Sequence, residues 1–130
     1  MSPAEVVRAP DVRAFSLISS AGRAAIGLGL LTAPEPALRA LGFSETTSAT
    51  VTVGRIAGVR DLVLGLVTLA ALEDPDRLRL ATLANAAADA GDAVAFGFAM
   101  RTEERTAGNR GIAAALPAAL AGIWVAWRLS

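Results

Sequence analysis

Residues 51–72 read VTVGRIAGVRDLVLGLVTLAAL, an apolar run interrupted by Arg55, Arg60 and Asp61. At a rise of about 1.5 Å per residue, about twenty residues cover about 30 Å, the hydrocarbon thickness of a bilayer. The stretch is long enough to span, yet it carries charge near its middle. On an insertion scale a central Arg or Asp costs about 2.5–3.5 kcal/mol, and each Leu, Ile, Val or Phe returns about 0.3–0.6. Arg60 and Asp61 together then cost about 5–7 kcal/mol, close to what the apolar residues offset. Such a helix needs partners. At about 100° per residue, Gly54, Gly58, Asp61, Gly65 and Thr68 share one small-residue face, so Asp61 sits where a second helix can approach closely. Arg60 leaves the backbone roughly 100° away from Asp61, and Arg55 lies toward the helix end on the other flank.

Working outward, three more apolar stretches run over residues 14–33, 78–100 and 111–127. The connectors punctuate them. Pro34 and Pro36 end the first, and ALRALGF after them suits an interfacial segment. Ser44, Thr46, Thr47 and Ser48 offer N-caps for the second. Glu73-Asp74-Pro75-Asp76 is a tight turn with Asp74 as N-cap and Pro75 at the first helical position. The turn makes the second and third stretches an antiparallel hairpin, and RTEERTAGNR at 101–110 is a charged loop. The expected fold is therefore all-α, a single domain over 1–130 forming a four-helix transmembrane bundle with up-down topology. Trp124, Trp127 and Arg128 form an aromatic and basic anchor at the end. The N-terminal segment, with Glu5, Arg8, Asp11, Arg13 and two prolines, does not read as a cleaved leader. Arg8, Arg13, Arg77, Arg79 and Arg128 fall on one side and Arg39, Arg101, Arg105 and Arg110 on the other, which slightly favours both termini inside.

The intramembrane charges supply the candidate site. In the third stretch Thr82, Asn85, Asp89 and Asp92 fall within roughly an 80° arc, and in the first Ser16, Ser19, Ser20, Arg23 and Gly27 fall within roughly 100°. Ionisable groups inside a membrane usually face the bundle interior and pair, so a central Arg–Asp network is the economical arrangement. Asp61, Asp89, Asp92 and Arg60 are the candidate reactive groups, and Arg23, Arg55 and Asn85 the candidate binding groups. Three aspartates exceed what stapling helices together requires, and buried pairs rarely stabilise more than good apolar packing does.

Composition narrows the chemistry. The chain has 130 residues, 54% hydrophobic and 18% charged, with twelve basic residues against twelve acidic ones, and a mean hydropathy of +0.52. All the basic residues are arginine; Lys, His, Cys and Tyr are missing. Zero net charge argues against nucleic-acid partners. Without His or Cys there is no Ser-His nucleophile, thiolate metal site or sulfur redox chemistry, and without Lys no Schiff base. No metal or cofactor is expected.

GRIAGVRDLVLGL at 54–66 and NAAADAGDAVAFG at 85–97 together resemble a family of small, four-helix integral membrane proteins of actinobacterial type and unknown function. The match to its Gly-Arg-x-x-Gly-x-Arg-Asp signature lies at Gly54, Arg55, Gly58, Arg60 and Asp61. The resemblance implies a four-span bundle and no activity.

Three function classes follow. The first is a membrane protein, placed in the bacterial cytoplasmic (inner) membrane, that holds a lipophilic ligand or a partner subunit. The second is a membrane-embedded acid/base enzyme of epoxide hydrolase, cyclase or isomerase type. There Asp89 or Asp92 acts as base, Asp61 as partner acid, and Arg60 or Arg23 as orienter. The third is a proton or ion carrier, for which a homo-oligomer is expected. A soluble bundle is disfavoured because the last helix has no polar face to show water.

Overall fold

The computed structural model describes all 130 residues, from Met1 to Ser130. Six helices follow one another: α1 (Pro3–Arg8), α2 (Pro10–Thr32), α3 (Pro34–Ala40), α4 (Ser48–Ala70), α5 (Pro75–Ala99) and α6 (Arg105–Arg128). The long ones, α2, α4, α5 and α6, coincide with the four apolar stretches. The turn at Asp74 forms as its residues dictate, with the Asp74 side chain accepting from the Arg77 amide at 3.0 Å and Pro75 opening α5. Thr47 is the residue that caps α4.

The short helices were not expected as such. α1 is started by a capping box, in which the Ser2 hydroxyl accepts from the Glu5 amide and the Glu5 carboxylate accepts from the Ser2 amide at 2.6 Å. Pro10 then opens α2 and Pro34 opens α3, so each proline restarts a helix where the preceding one stops.

A regular four-helix bundle is also not what forms. The long helices pack as two pairs. In the first, α2 lies along α4, and the approach is so close that a Cβ on Gly27 would stand 2.6 Å from the Gly58 carbonyl oxygen. A Cβ on Gly65 would stand 2.7 Å from the Ser20 carbonyl oxygen. The small-residue face of α4 is thus the surface that receives α2. In the second pair α5 lies along α6, where a Cβ on Gly108 would meet the Phe96 carbonyl oxygen at 2.9 Å. The expected hairpin is corrected accordingly: α4 and α5 are joined by a turn but touch sparsely, each being committed to another neighbour.

The two pairs are pinned at their ends. At one end Val6, Val7, Val12, Ala71, Leu78, Ala81, Val125 and Leu129 form an apolar cluster. It joins α1 and the start of α2 to the α4–α5 turn and the end of α6, so the long helices alternate in direction and both termini share this end. Arg128 reinforces it, bonding Asp11 at 2.9 Å and lying 5.2 Å from the Trp124 ring centroid. At the other end the α3–α4 connection reaches the start of α6. Ser44 donates to the Glu104 carboxylate from its amide at 2.9 Å and its hydroxyl at 2.8 Å, and Arg110 donates to the Ala40 carbonyl at 2.9 Å. Gly42 makes this turn at φ 98°, where a side chain would be strained.

Only 27 of 130 residues are buried, and each of the four long helices turns some large apolar side chains outward, Leu28, Ile56, Leu80, Val94 and Leu120 among them. Two helices, α2 and α6, are long and apolar enough to cross a membrane. α4 and α5 have the length but carry more of their charge away from the helix ends, at Arg55, Arg60 and Asp61 and at Asp89 and Asp92.

Candidate functional site

Held together at both ends and sparsely touching between, the helix pairs flank a half-open cavity of about 870 Å3. Past Arg110 at one end, its α6 wall consists of Gly111, Ala114, Ala115, Ala118 and Gly122, a face with no side chain large enough to fill the space. Opposite stand the charged residues of the other three long helices.

Arg23 of α2 is the hub. Its Nη1 donates to Asp61 Oδ1 of α4 at 2.9 Å, and its Nη2 donates to Asp89 Oδ1 of α5. One guanidinium therefore ties both helix pairs together. Arg60 of α4 makes a second bridge, with Nη1 and Nη2 each 2.7 Å from a different oxygen of Asp92 on α5. This is the bidentate fork that makes Arg–carboxylate pairs geometrically specific. Arg60 Nε and Nη2 also reach Asp61 Oδ1 at 3.2 and 3.1 Å. Arg60 does this even though its Cα–Cβ bond leaves the helix well away from that of Asp61, because a long side chain can turn back along the helix surface. The cluster has an inner and an outer part. The side chains of Arg23, Asp61 and Asp89 are 13%, 14% and 11% exposed, whereas Arg60 and Asp92 are 37% and 28% exposed.

Toward the apolar cluster the cavity has a neutral polar floor of Ser16, Thr68, Thr82 and Asn85. Asn85 Nδ2 donates to Thr68 Oγ1 at 2.7 Å and to the Ala81 carbonyl at 2.8 Å. Because a carbonyl only accepts, the amide orientation is fixed, and Asn85 Oδ1 is left buried without a partner. The Thr68 and Thr82 hydroxyls donate back to the carbonyls of Leu64 and Leu78. Ser20 donates to the Ser16 carbonyl, but the Ser16 hydroxyl itself is buried and unpartnered.

Six of the seven candidate residues, Arg23, Arg60, Asp61, Asn85, Asp89 and Asp92, thus line one cavity. Arg55 does not. It is exposed, makes no ion pair and lies outside the cavity, so its expected binding role is withdrawn. Its signature neighbour Gly54 packs against Leu38 of α3, and that face of α4 turns away from Arg55. Sequence reasoning undervalued Ser16, which read as a helix hydrogen-bonding residue. Its place on the same arc as Arg23 was the available signal. The aromatic pair Phe43 and Phe96, 6.5 Å apart at the opposite end of the cavity, had no sequence signal because they come from distant loop and helix positions.

The cluster can bind polar groups and move protons. Every bond that Asp61 and Asp89 accept falls on Oδ1, and the Oδ2 atom of each accepts nothing from the protein. No group of three or more metal-binding side chains converges anywhere in the chain.

The sequence matches no curated protein and no solved structure. A family match covers residues 20–129, from the serine stripe of α2 to the end of α6, and so includes every charged residue of the cavity. The chain belongs to the family described as Domain of unknown function (DUF4267).

Proposed function

We propose that this is a small integral membrane protein that binds a lipophilic molecule between its two helix pairs, with the molecule's polar end at the Arg/Asp cluster. The observation that carries the reading is a cavity of about 870 Å3 whose walls are mostly apolar and whose carboxylates all lie in one patch with Arg23 and Arg60, Arg110 being the one charge at the other end. That size and division of labour match small-molecule sites, in which apolar walls supply affinity and a few polar groups fix orientation. Membrane placement is supported by α2 and α6, by the outward-facing isoleucines, leucines and valines, and by the pairing of Arg60, Asp61, Asp89 and Asp92 of α4 and α5 in a shared interior. The resemblance to small four-helix membrane proteins of actinobacterial type agrees with it and suggests a bacterial cytoplasmic membrane.

The test has two parts. Expressed protein stays in the membrane pellet after a carbonate wash, and recovery in the soluble fraction contradicts the placement. In zwitterionic nanodiscs the protein binds 1-dodecanol by calorimetry above the partitioning seen in nanodiscs alone. Ala118→Phe, which puts a ring into the cavity from the smooth α6 wall, abolishes that excess while helicity is unchanged. Equal binding by both proteins places the alcohol elsewhere and ends the cavity reading.

One observation favours a second reading, acid/base turnover of a lipophilic substrate. Asp61 and Asp89 share one guanidinium and each keeps an oxygen free, the arrangement needed for one carboxylate to take a proton while the other gives one. Epoxide opening fits when water supplies the nucleophile: its oxygen bonds the ring carbon as its proton passes to the ionised carboxylate, and the protonated carboxyl delivers its proton to the departing ring oxygen. In this reading Arg23 positions both groups, and Asp89→Asn removes turnover while binding survives.

A further inference from the structure

Building on the ligand-binding reading, we infer that the cavity selects an amphiphile whose polar end is a protonated amine, seated between Asp61 and Asp89.

Three features of the cluster lead there. The first is the charge count: Asp61, Asp89 and Asp92 face Arg23 and Arg60, so with all groups ionised the cluster carries one negative charge in excess. An excess charge in an apolar surrounding is costly unless a counter-charge joins it. The second is where that excess is accessible. Arg23 holds Asp61 and Asp89 by their Oδ1 atoms, leaving both Oδ2 atoms unbonded, whereas both oxygens of Asp92 are taken by Arg60. The third is the state of the cations. Nη1 and Nη2 of Arg23, and Nε, Nη1 and Nη2 of Arg60, already donate to carboxylates.

These features discriminate between head groups. A carboxylate or phosphate would add negative charge, and every guanidinium nitrogen of the cluster except Arg23 Nε already donates to a carboxylate. A neutral alcohol leaves the excess charge in place. A primary ammonium has three donors, which serve the two free carboxylate oxygens and leave one for a further acceptor.

An independent sign that the site extends beyond the charges lies on the floor. The Ser16 hydroxyl, on a residue only 1% exposed, lines the cavity without a partner. It precedes Arg23 on α2 by about 10 Å of helix rise. Buried hydroxyls of this kind are uncommon because leaving one unbonded costs free energy. It offers a hydrogen bond to a second polar group on the same ligand. The apolar walls around Ile26, Leu30, Phe43 and Phe96 are left for the chain.

The test compares dodecylamine, 1-dodecanol and dodecanoate at pH 7 by titration calorimetry with the full chain in zwitterionic nanodiscs, subtracting partitioning into nanodiscs alone. Dodecylamine binds at least tenfold more tightly than 1-dodecanol, and dodecanoate binds most weakly. Asp89→Asn equalises the formal charges, so it removes the amine's advantage while 1-dodecanol binding persists. Asp61→Asn does the same and serves as the second variant should Asp89→Asn not fold. Dodecyltrimethylammonium, charged but without N–H donors, binds more weakly than dodecylamine. Equal or reversed ranking of amine and alcohol overturns the ammonium seat but leaves the cavity reading standing. An amine preference that survives in the variants also overturns the seat. Binding of none of the three overturns both.

Discussion

The interfaces within the helix pairs and the space between the pairs are built on opposite principles. Within a pair glycines set the closest approaches, and α2 and α4 come so close that Gly27 and Gly58 admit no side chain. Dispersion and close backbone contact hold such an interface, the mechanism available where no hydrophobic driving force separates helix from lipid. Between the pairs the small residues Ala114 and Ala118 of α6 line open space, and the connection is made by long side chains of opposite sign. A small-residue stripe therefore has two outcomes. It brings helices together when another stripe opposes it, and it leaves a cavity when propped guanidiniums do.

Removing a prop should have the largest effect. Arg23→Met leaves Asp61 and Asp89 inside the molecule with one cation fewer, and breaking a buried pair by deleting one partner costs about 3–5 kcal/mol. We expect a loss of that order in an SDS-titration unfolding experiment, with Arg23→Lys recovering part of it. Arg55→Gln, on the same helix bundle but exposed and unpaired, changes stability by less than about 0.5 kcal/mol. A comparable loss in both variants would mean that the charges between the pairs have no special place.

Next in size is a disruption within a pair. Gly27→Val forces a side chain against the α4 backbone and costs about 1–3 kcal/mol by overpacking. Gly22 on the same helix has nothing within 4 Å of its would-be Cβ, so Gly22→Ala stabilises by about 0.5–1 kcal/mol through helix propensity alone. Circular dichroism melts of the two variants should move in opposite directions. A shift of the same sign in both would contradict the close α2–α4 contact.

The smallest effect belongs to the clasp that closes the cavity's far end. The Ser44 amide and hydroxyl hold the Glu104 carboxyl below its ordinary value of 4.5. A carboxyl whose folded value is depressed contributes fully above its unfolded value, and the contribution fades as pH falls through the lower, folded one. Glu104→Gln should therefore lower the thermal midpoint slightly at neutral pH, with the difference from wild type vanishing in strong acid. Because this carboxylate is solvent-exposed, the difference is small, and hydrogen exchange at the Ser44 amide is the sensitive readout.

The long helices were legible in the sequence because length, apolar content and punctuation agree there. Asp74 and Pro75 marked the start of α5 to the residue. The glycine face of α4 was legible too, since position along a helix fixes direction. Partner choice was not. Adjacent helices joined by a tight turn look like a packed hairpin, yet α4 prefers α2 because Gly27 is complementary to Gly58, a match between residues far apart in sequence. Nor could backbone angles tell that Arg60 bends back to Asp61 while also forking Asp92. The cavity was the least legible feature. The α6 residues Ala114, Ala115, Ala118 and Gly122 look the same in a sequence whether they pack or recede. The helix α1 was overlooked despite its signal: Ser2 and Glu5 have the spacing of a capping box ahead of Val6 and Val7.

Charges from different helix pairs meet across the gap, and a double-mutant cycle on Arg23 and Asp89 measures their coupling. With Arg23→Met, Asp89→Asn and the double variant in one lipid environment, the account predicts a coupling energy of about 2 kcal/mol, in the range seen for residues in one salt-bridge network. Additive losses, with coupling below about 0.5 kcal/mol as for distant independent sites, would contradict it.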